Sequence, residues 1–580
     1  MLTKSRLKKA LDCPTKLYYS HHKYRDESQV DPFLAALAEG GMQIGELAKL
    51  HFPEGTEVVE RNPGAAVSAT LDLLEAQRDL VLFEPAFQVG KRLARIDVFK
   101  RTGHHVQVIE VKSKSYEESE SMTLKGNKGV NSEWFAYVAD VAFQRQLVED
   151  WYRERGEQVS VTGHLMVVDK GRTATVHGLN SQFPIVKSGP NQVACAPADS
   201  PQLGEPILTV VDVSEAIQAL ESESGWAGVR ELTGAQTFAE FVQQCEQDIN
   251  QYSAGGSSRQ TAIGKHCKKC EFSDGKRECW TRAFGWSARQ FDEPKVWDIW
   301  NIRKTDQLLE QGTRFLTEVS RDDLGNGKNA ERQWVQVEGT RTQTAQVDVE
   351  GLRDAMAEYE SPYHFIDFET IQPAIPFFKG MRPYEGMCFQ FSHHVMEADG
   401  SIAHRTQFLE SGSAANPTFA FVNALYDALQ GQKGTIFRYA NHENTYLNLA
   451  HRQLSKGSPY DADHTKRLLD FIEEITHHEA RGAGARDMVD LQKLVVGHFW
   501  HPRMGGSNSI KEVLPAVMES SQRLRDLYAS PTYGTAAMPS LNFKEGKRWF
   551  ELDDNGTPKN PYHLLPSLDE LMGIEAGEIE

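Results

Sequence analysis

The clearest pattern of apolar and polar positions runs from Arg95 to Ser115. A short apolar run that contains Asp97 is followed by a polar, glycine-containing turn and by a β-rich run from Val106 to Val111. Two such runs around a turn with glycine are typical of a β-hairpin. Because side chains alternate across a strand, Glu110 and Lys112 are predicted to share one face. Asp97 on the neighbouring strand can reach the same edge, so the pattern predicts that two carboxylates and a lysine converge.

Further elements surround this hairpin. An apolar run from Leu80 to Phe83 ends at Glu84, and apolar residues at helical spacing predict a helix over Trp134–Trp151 that carries Gln144. The rest of the first half is predicted to contain helices at Ser5–Asp12 and Phe33–Phe52, a strand at Val159–Val168, a loop over residues 186–206, and helices from Ser214 and over Thr237–Tyr252.

Converging carboxylates and a lysine suit metal-dependent phosphodiester hydrolysis. Carboxylate oxygens are hard ligands for Mg²⁺ or Mn²⁺, and a cation beside the attacked phosphate offsets charge. The order Asp97, then Glu110-x-Lys112, then a helix with Gln144 resembles the PD-(D/E)XK nucleases, in particular their RecB-like branch. The resemblance implies that Asp97 and Glu110 hold the metal, with Glu84 as a further carboxylate. It also implies that Lys112 positions or activates the water and that Gln144 orients the DNA strand. The alternative is a surface hairpin with ordinary charges.

Cysteine spacing is the second signal. Cys267-x₂-Cys270-x₈-Cys279 places three thiols in a short basic stretch, which suits metal coordination, and Cys13 can supply a fourth ligand. This arrangement resembles the iron–sulfur RecB-like nucleases, among them the CRISPR-associated adaptation nucleases and the AddB helicase–nuclease subunit, over about residues 1–285. The resemblance implies a [4Fe–4S] cluster that fastens the N-terminal segment to the end of the domain. A structural Cys₄ zinc site is the alternative. The remaining cysteines are expected to be buried structural thiols: Cys195, Cys245 and Cys388.

The early helix departs from the pattern of these relatives. They often carry a metal-binding histidine four residues after a glycine in this helix, whereas here Gly41 is followed at that spacing by Gly45. Glu46 or His51 could substitute, although neither matches the pattern. A slower or differently metallated site is one expectation that follows.

The second half begins its own pattern at Tyr363. An apolar strand presents Asp367 and Glu369 on one face, two residues apart. Downstream, a predicted strand is followed by Glu443 at the start of a predicted helix, and Asp490 lies in a short apolar stretch further on. A pair of surface acids is the alternative for the first two carboxylates.

These motifs resemble the DEDD exonucleases of the RNase H-like fold, which bind two metal ions with four carboxylates. Asp367 and Glu369, both implied metal ligands, match the first motif, and Glu443 lies where the second normally has Asp. Residues 360–566 also resemble an uncharacterised bacterial domain family that often follows a RecB-like region. The fourth carboxylate has no match at the family's spacing, and Asp490 is a weak stand-in. This site is therefore incomplete, degenerate or completed by another chain.

Size and composition agree with several domains. The 580 residues, 40% of them hydrophobic, predict an α/β protein with a PD-(D/E)XK domain (1–285), a connector (286–355) and an RNase H-like domain (356–580), with the last of these incomplete at its C-terminus as one possibility. No apolar run reaches membrane-spanning length, so we expect a cytoplasmic protein without a membrane partner. The net charge of −18 argues against a protein that coats nucleic acid non-specifically, but it leaves room for a local basic groove.

Two functions compete on these grounds. The first is a metal-dependent DNA nuclease whose N-terminal site cuts single-stranded DNA or DNA ends, with a C-terminal domain that trims or binds ends, in repair, recombination or defence against phage and plasmids. The second is a nucleic-acid-binding or redox-sensing iron–sulfur protein with degenerate nuclease folds. Both leave room for a protein partner or a second chain.

Overall fold

A computed structural model describes residues 1–30, 32–124, 129–189, 192–412, 415–554 and 556–566. The chain is α/β, as predicted, and divides into two compact units. The first unit comprises Met1–Ala288 and Pro373–Glu385, and the second comprises Arg289–Gln372 and Gly386–Glu580. The predicted connector therefore groups with the second unit, and a short segment of the second half groups with the first. None of the described helices combines the length and apolar character needed to cross a bilayer.

The first unit is built from short and long strands with helices between them. Its strands are β1 (Leu2–Thr3), β2 (Thr56–Glu57), β3 (Leu80–Phe83), β4 (Ala86–Val89), β5 (Arg92–Arg95), β6 (Val98–Thr102), β7 (His105–Tyr116), β8 (Ser160–Asp169), β9 (Ile185–Gly189), β10 (Gln192–Cys195) and β11 (Leu208–Asp212). Its helices are α1 (Lys4–Asp12), α2 (Pro14–His21), α3 (Pro32–Lys49), α4 (Pro63–Ala76), α5 (Phe135–Glu154), α6 (Ser214–Glu221), α7 (Glu223–Thr233), α8 (Phe238–Ser253) and α9 (Ser273–Phe284).

The central sheet of this unit has the order β11-β8-β7-β6-β3-β2. The predicted hairpin is confirmed, because β6 and β7 pair antiparallel around a turn in which Gly103 has a left-handed φ of 58°. The predicted loop over 186–206 is wrong in part: β9 and β10 pair there as a hairpin of their own. Turn-rich composition concealed the apolar residues Val186 and Val193, which lie in these paired strands.

Strand β7 separates two cores, and this decides where its polar residues point. Val106 and Val108 pack into the core formed with α1, α5 and α8, whereas Ile109 packs into the core formed with α3 on the other face. Glu110 and Lys112 follow Val106 and Val108 at intervals of two residues, so their side chains are on the same face of the strand as these valines. They therefore lie on the face of the sheet that α1 and α5 cover.

The second unit contains a mixed sheet and many short helices. Its strands are β12 (Gln346–Val347), β13 (Tyr363–Ile371), β14 (Met387–Met396), β15 (Ile402–Leu409), β16 (Thr435–Arg438), β17 (His477–His478), β18 (Gly482–Ala483), β19 (Val489–Asp490) and β20 (Phe499–Trp500). Its helices are α10 (Ala288–Asp292), α11 (Thr305–Glu310), α12 (Arg321–Leu324), α13 (Ala330–Thr342), α14 (Val349–Ala357), α15 (Pro417–Leu429), α16 (His442–Lys456), α17 (Ala462–Ile475), α18 (Leu491–His498), α19 (Ile510–Ser520) and α20 (Gln522–Ala529).

The main sheet of the second unit has the order β15-β14-β13-β16-β19. Strand β13 lies in its centre, antiparallel to β14 and parallel to β16. Ile366 and Phe368 on β13 pack against α15, α16 and α17 in one buried core. Asp367 and Glu369 alternate with these residues and lie on the opposite face, as predicted from the strand period.

Candidate functional site

The β6–β7 hairpin brings three of the predicted side chains together. Asp97 lies directly before β6, and its Oδ2 accepts a hydrogen bond of 2.8 Å from the backbone N–H of Val111, which holds the carboxylate against β7. Glu110 on β7 is fully buried, and the Lys112 ammonium pairs with its Oε1. We call this group, with the residues that join it below, the hairpin site; its members are Lys4, Asp97, Glu110, Lys112, Asp140 and Gln144.

Helix α5 completes one side of the hairpin site. Gln144 Nε2 donates to Glu110 Oε2 at 2.8 Å, as expected for a residue of this helix that faces the strand. The same amide nitrogen lies 3.1 Å from Asp140 Oδ1, and Asp140 Oδ2 is 3.4 Å from Lys112 Nζ. Sequence reasoning missed Asp140, although its position four residues before Gln144 places both on one helix face and could have indicated it.

Lys4 is the other member that sequence reasoning missed. Its Nζ lies 2.9 Å from Asp97 Oδ1 and 3.0 and 3.1 Å from the two carboxylate oxygens of Glu110. The Thr3 side chain accepts a hydrogen bond from the backbone N–H of Arg6 at 3.3 Å and so caps α1. Lys4 is thereby placed in the first turn of a helix that packs on the sheet.

The charges of the hairpin site influence one another strongly. Burial raises the pKa of Glu110, but the ammonium groups of Lys4 and Lys112 outweigh this and hold that pKa below its ordinary value. Burial and the neighbouring Glu110 charge raise the pKa of Asp97 and of Asp140. Burial lowers the pKa of Lys112, but the charges of Glu110, Asp140 and Asp97 outweigh burial and raise that pKa above its ordinary value. This lysine therefore remains an ammonium ion at neutral pH.

Three further candidates lie apart from these contacts. The Glu84 carboxylate pairs with Arg95 Nε at 3.2 Å, although its backbone N–H is bonded to the carbonyl of Asp97. Glu46 on α3 pairs with Lys49 Nζ at 2.8 Å. His51 follows α3, and burial lowers its pKa. Within the described part of the chain, no side-chain hydrogen bond or ion pair joins any of the three to the hairpin site.

The four predicted cysteine ligands line one small cavity. Cys13 links α1 to α2, Cys267 and Cys270 precede α9, and Cys279 lies in α9. We call these four the thiol group. Tyr19 of α2 reaches Cys279 Sγ with its hydroxyl at 3.1 Å. Burial raises the pKa of the Cys267 thiol to about 11 and also raises the pKa of Cys279.

The donor chemistry of the thiol group fits a metal centre. Four cysteine sulfurs facing one cavity are the ligand set of a structural zinc ion or of an iron–sulfur cluster. None of the seven cysteines is in a disulfide. As the side chains stand, no group of three or more His, Cys, Asp or Glu among the described residues already has the arrangement of a metal site. The fit therefore rests on the donor set and the shared cavity.

The predicted carboxylates of the second unit differ in how far they are exposed to solvent. Asp367 and Glu369 are exposed on β13, and Glu443 is buried in the first turn of α16. Asp490 ends β19; its Oδ1 accepts hydrogen bonds of 3.0 Å from two backbone N–H groups, and its Oδ2 lies 3.5 Å from the Arg438 guanidinium. We call these four the second carboxylate group.

Glu443 is the least satisfied member of that group. Its Oε2 is buried without a hydrogen-bond partner. Burial, with a smaller contribution from the charges of Asp367 and Asp490, raises the pKa of Glu443 to about 7, against a lowering effect of Arg438. Asp367 also borders a cavity of about 460 Å³ with an aromatic wall that includes Tyr528, Trp549 and Tyr562. An orphaned carboxylate oxygen of this kind fits a group that binds an ion or a ligand.

Comparison with known proteins bears on the second unit. A protein-family model described as a domain of unknown function (DUF2779) matches residues 364–509. The match spans all four members of the second carboxylate group and lies within the range for which an uncharacterised domain family was expected. No curated protein matches the chain.

Proposed function

We propose that the chain is a metal-dependent deoxyribonuclease whose main hydrolytic centre is the hairpin site. The observation that carries the proposal is the meeting of Asp97, Glu110, Lys112 and Gln144 on one face of the β6–β7 hairpin, which combines the groups that the PD-(D/E)XK resemblance requires. Asp97 and Glu110 would hold Mg²⁺ or Mn²⁺, which when bound acts as a Lewis acid and lowers the pKa of a bound water.

The protein's own side chains have separable tasks in this proposal. Lys112 is an ammonium ion, so it offsets negative charge on the attacked phosphate and orients the water rather than removing its proton. Gln144 holds the Glu110 carboxylate in place by its 2.8 Å hydrogen bond. Asp140 fixes Lys112 from α5. The substrate is DNA, as single strands or at ends.

The thiol group has a structural task in the same proposal. It would hold a [4Fe–4S] cluster, with zinc as the alternative, and would tie the α1–α2 segment to α9. Phosphodiester hydrolysis transfers no electrons, so the cluster has no step to perform in it. The second unit would be an RNase H-like, DEDD-type domain that trims or binds DNA ends. Repair, recombination and defence against phage or plasmids all fit such an enzyme.

The test compares two lysines of one strand. Lys112→Ala should abolish most of the Mg²⁺- or Mn²⁺-dependent degradation of labelled single- and double-stranded DNA. Lys114→Ala is the matched control, because Lys114 lies two residues further along β7 and contacts Glu133 and the Trp134 ring rather than the carboxylates. Equal activity of the Lys112→Ala variant and the unmodified protein would contradict the proposed centre.

One observation favours a second candidate function. Asp490 is held by Arg438 and by backbone N–H groups, so the second carboxylate group lacks a free fourth acid among its members. A nucleic-acid-binding or redox-sensing iron–sulfur protein with degenerate nuclease folds agrees with this. DNA binding without cleavage under any metal condition would favour that function over the nuclease.

A further inference from the structure

The carboxylate oxygens of Asp97 and Glu110 all have partners within the protein. Asp97 Oδ2 accepts the Val111 N–H, and Asp97 Oδ1 contacts Lys4 Nζ. Glu110 Oε1 contacts both Lys4 and Lys112, and Glu110 Oε2 contacts Lys4 and Gln144. Lys4 is the group common to three of these four oxygens.

The Lys4 ammonium stands where the ligands of a metal ion would converge. It is 2.9–3.1 Å from one oxygen of Asp97 and both oxygens of Glu110. Mg²⁺ binds carboxylate oxygens at about 2.0–2.1 Å. An ion that shared these oxygens with Lys4 would lie within a few ångströms of a second positive charge in a largely buried site, where repulsion is little screened.

We propose that Lys4 is the internal counter-cation of the hairpin site and that a divalent cation binds there by displacing the Lys4 ammonium. The inference rests on the proposed function, because it concerns the metal of that same site. Lys4 lies at the beginning of α1 and its side chain is 27% exposed, so the ammonium can swing towards solvent without unfolding of the helix. Lys4 therefore sets the affinity of the site for its ion.

Binding of Mn²⁺ to the full chain, measured by isothermal titration calorimetry, tests the competition directly. Removing one positive charge at this distance should raise affinity by about tenfold or more in Lys4→Gln. Lys4→Arg, which keeps the charge, should bind Mn²⁺ far more weakly than Lys4→Gln does. Lys8→Gln is the matched control, because Lys8 is exposed on the same helix, and it should bind as the unmodified protein does. Unchanged or weaker Mn²⁺ binding by Lys4→Gln would overturn the proposal.

A second measurement uses the unmodified protein and so does not depend on how well a variant folds. Amine-reactive labelling, read by mass spectrometry, should modify Lys4 slowly in chelator and several-fold faster with saturating Mn²⁺, whereas labelling of Lys8 should not change. Equal labelling of Lys4 in both conditions would overturn the displacement. Neither readout needs DNA cleavage: Mn²⁺ binding with release of Lys4 but without any nuclease activity would leave this inference standing and remove the proposed function.

Discussion

The two carboxylate groups differ in how their negative charge is compensated. In the hairpin site, two ammonium groups, a side-chain amide and a backbone N–H contact the oxygens of Asp97 and Glu110. In the second carboxylate group, Arg438 is committed to Asp490, and a buried oxygen of Glu443 has no partner. The same residue types thus form a closed, charge-compensated site in one unit and an under-compensated one in the other.

This difference bears on what each group is ready to do. In the hairpin site, the ammonium groups of Lys4 and Lys112 keep Glu110 ionised before any ion arrives, because opposite charges favour the ionised form, although burial and the Glu110 charge raise the pKa of Asp97. Glu443, the buried acid of the second carboxylate group, instead favours its protonated form, as its raised pKa indicates. The comparison leads us to expect the hairpin site to dominate catalysis.

The largest effect is expected from loss of a cysteine in the thiol group, because helix α1 connects that group to the hairpin site. Helix α1 carries Lys4 at its beginning and is capped at its C-terminus by Cys13, whose backbone N–H bonds to the Lys9 carbonyl at 3.1 Å. Because metal binding by thiolates contributes directly to folding free energy, Cys13→Ser should lose most of its iron and much of its solubility. Metal analysis and absorbance of anaerobically purified protein provide the measurement. Cys195→Ser, a thiol of β10 outside the thiol group, is the control.

Two results of that experiment would change the picture. Full iron content in Cys13→Ser would remove Cys13 from the ligand set. Stoichiometric zinc without iron in the unmodified protein would replace the cluster by a zinc site and leave the four-cysteine coordination standing.

The next largest effect is expected on DNA cleavage, when one carboxylate is removed from each of the two groups. Glu110→Ala removes the buried carboxylate that all three neighbouring donors contact, and DNA cleavage should fall by at least about a hundredfold, as expected for loss of a principal metal ligand. Asp367→Ala removes an exposed carboxylate of the second group and should change cleavage by less than about threefold, or affect only end trimming and affinity. Rates on labelled DNA in Mg²⁺ decide between them. The reverse pattern would place the active site in the second unit, with a final acid that sequence reasoning failed to find.

The sequence predicted those parts of the site that local periodicity controls. The strand period placed Glu110 and Lys112 on one face, and helical spacing placed Gln144 on α5. Lys4 could not be found in this way. It is 93 residues from Asp97 in the sequence, and the two side chains come together only because α1 packs against the sheet.

The same limit applies to the other long-range features. The prediction that Cys13 belongs to the thiol group rested on a family resemblance, since no spacing rule covers the long sequence separation between Cys13 and Cys267. Only tertiary packing assigns Pro373–Glu385 to the first unit, where the Ala174 and Gly178 N–H groups donate to its Met381 and Phe377 carbonyls. Local patterns determine which face a side chain occupies, whereas the partner across that face depends on contacts that the pattern does not encode.

The smallest effect tests charge compensation itself, through the pH dependence of stability in chelator. The pKa of Glu443 rises from an ordinary value near 4.5 to about 7 in the folded protein. Between about pH 4.5 and 7 the unfolded chain therefore releases a proton that the folded chain keeps, and stability falls as pH rises. Glu443→Gln removes this dependence, so its free energy of unfolding should exceed that of the unmodified protein by up to about 3 kcal/mol at pH 7.5 and by little at pH 4.5.

Glu110→Gln should show the opposite sign in the same experiment. The folded-state pKa of Glu110 lies below its ordinary value because Lys4 and Lys112 surround it. Its contribution to stability is therefore present above the unfolded pKa and is lost as pH falls through the folded value. Removing that charge should destabilise the protein at neutral pH, by an amount that shrinks on acidification. Urea titrations provide the measurement, from pH 4.5 to 7.5 for Glu443→Gln and from pH 7.5 down to about pH 2, near the folded-state pKa of Glu110, for Glu110→Gln. If both variants shift stability in the same direction, with no dependence on pH, then the two carboxylate groups do not differ in charge compensation, and the expectation that the hairpin site dominates catalysis loses its physical basis.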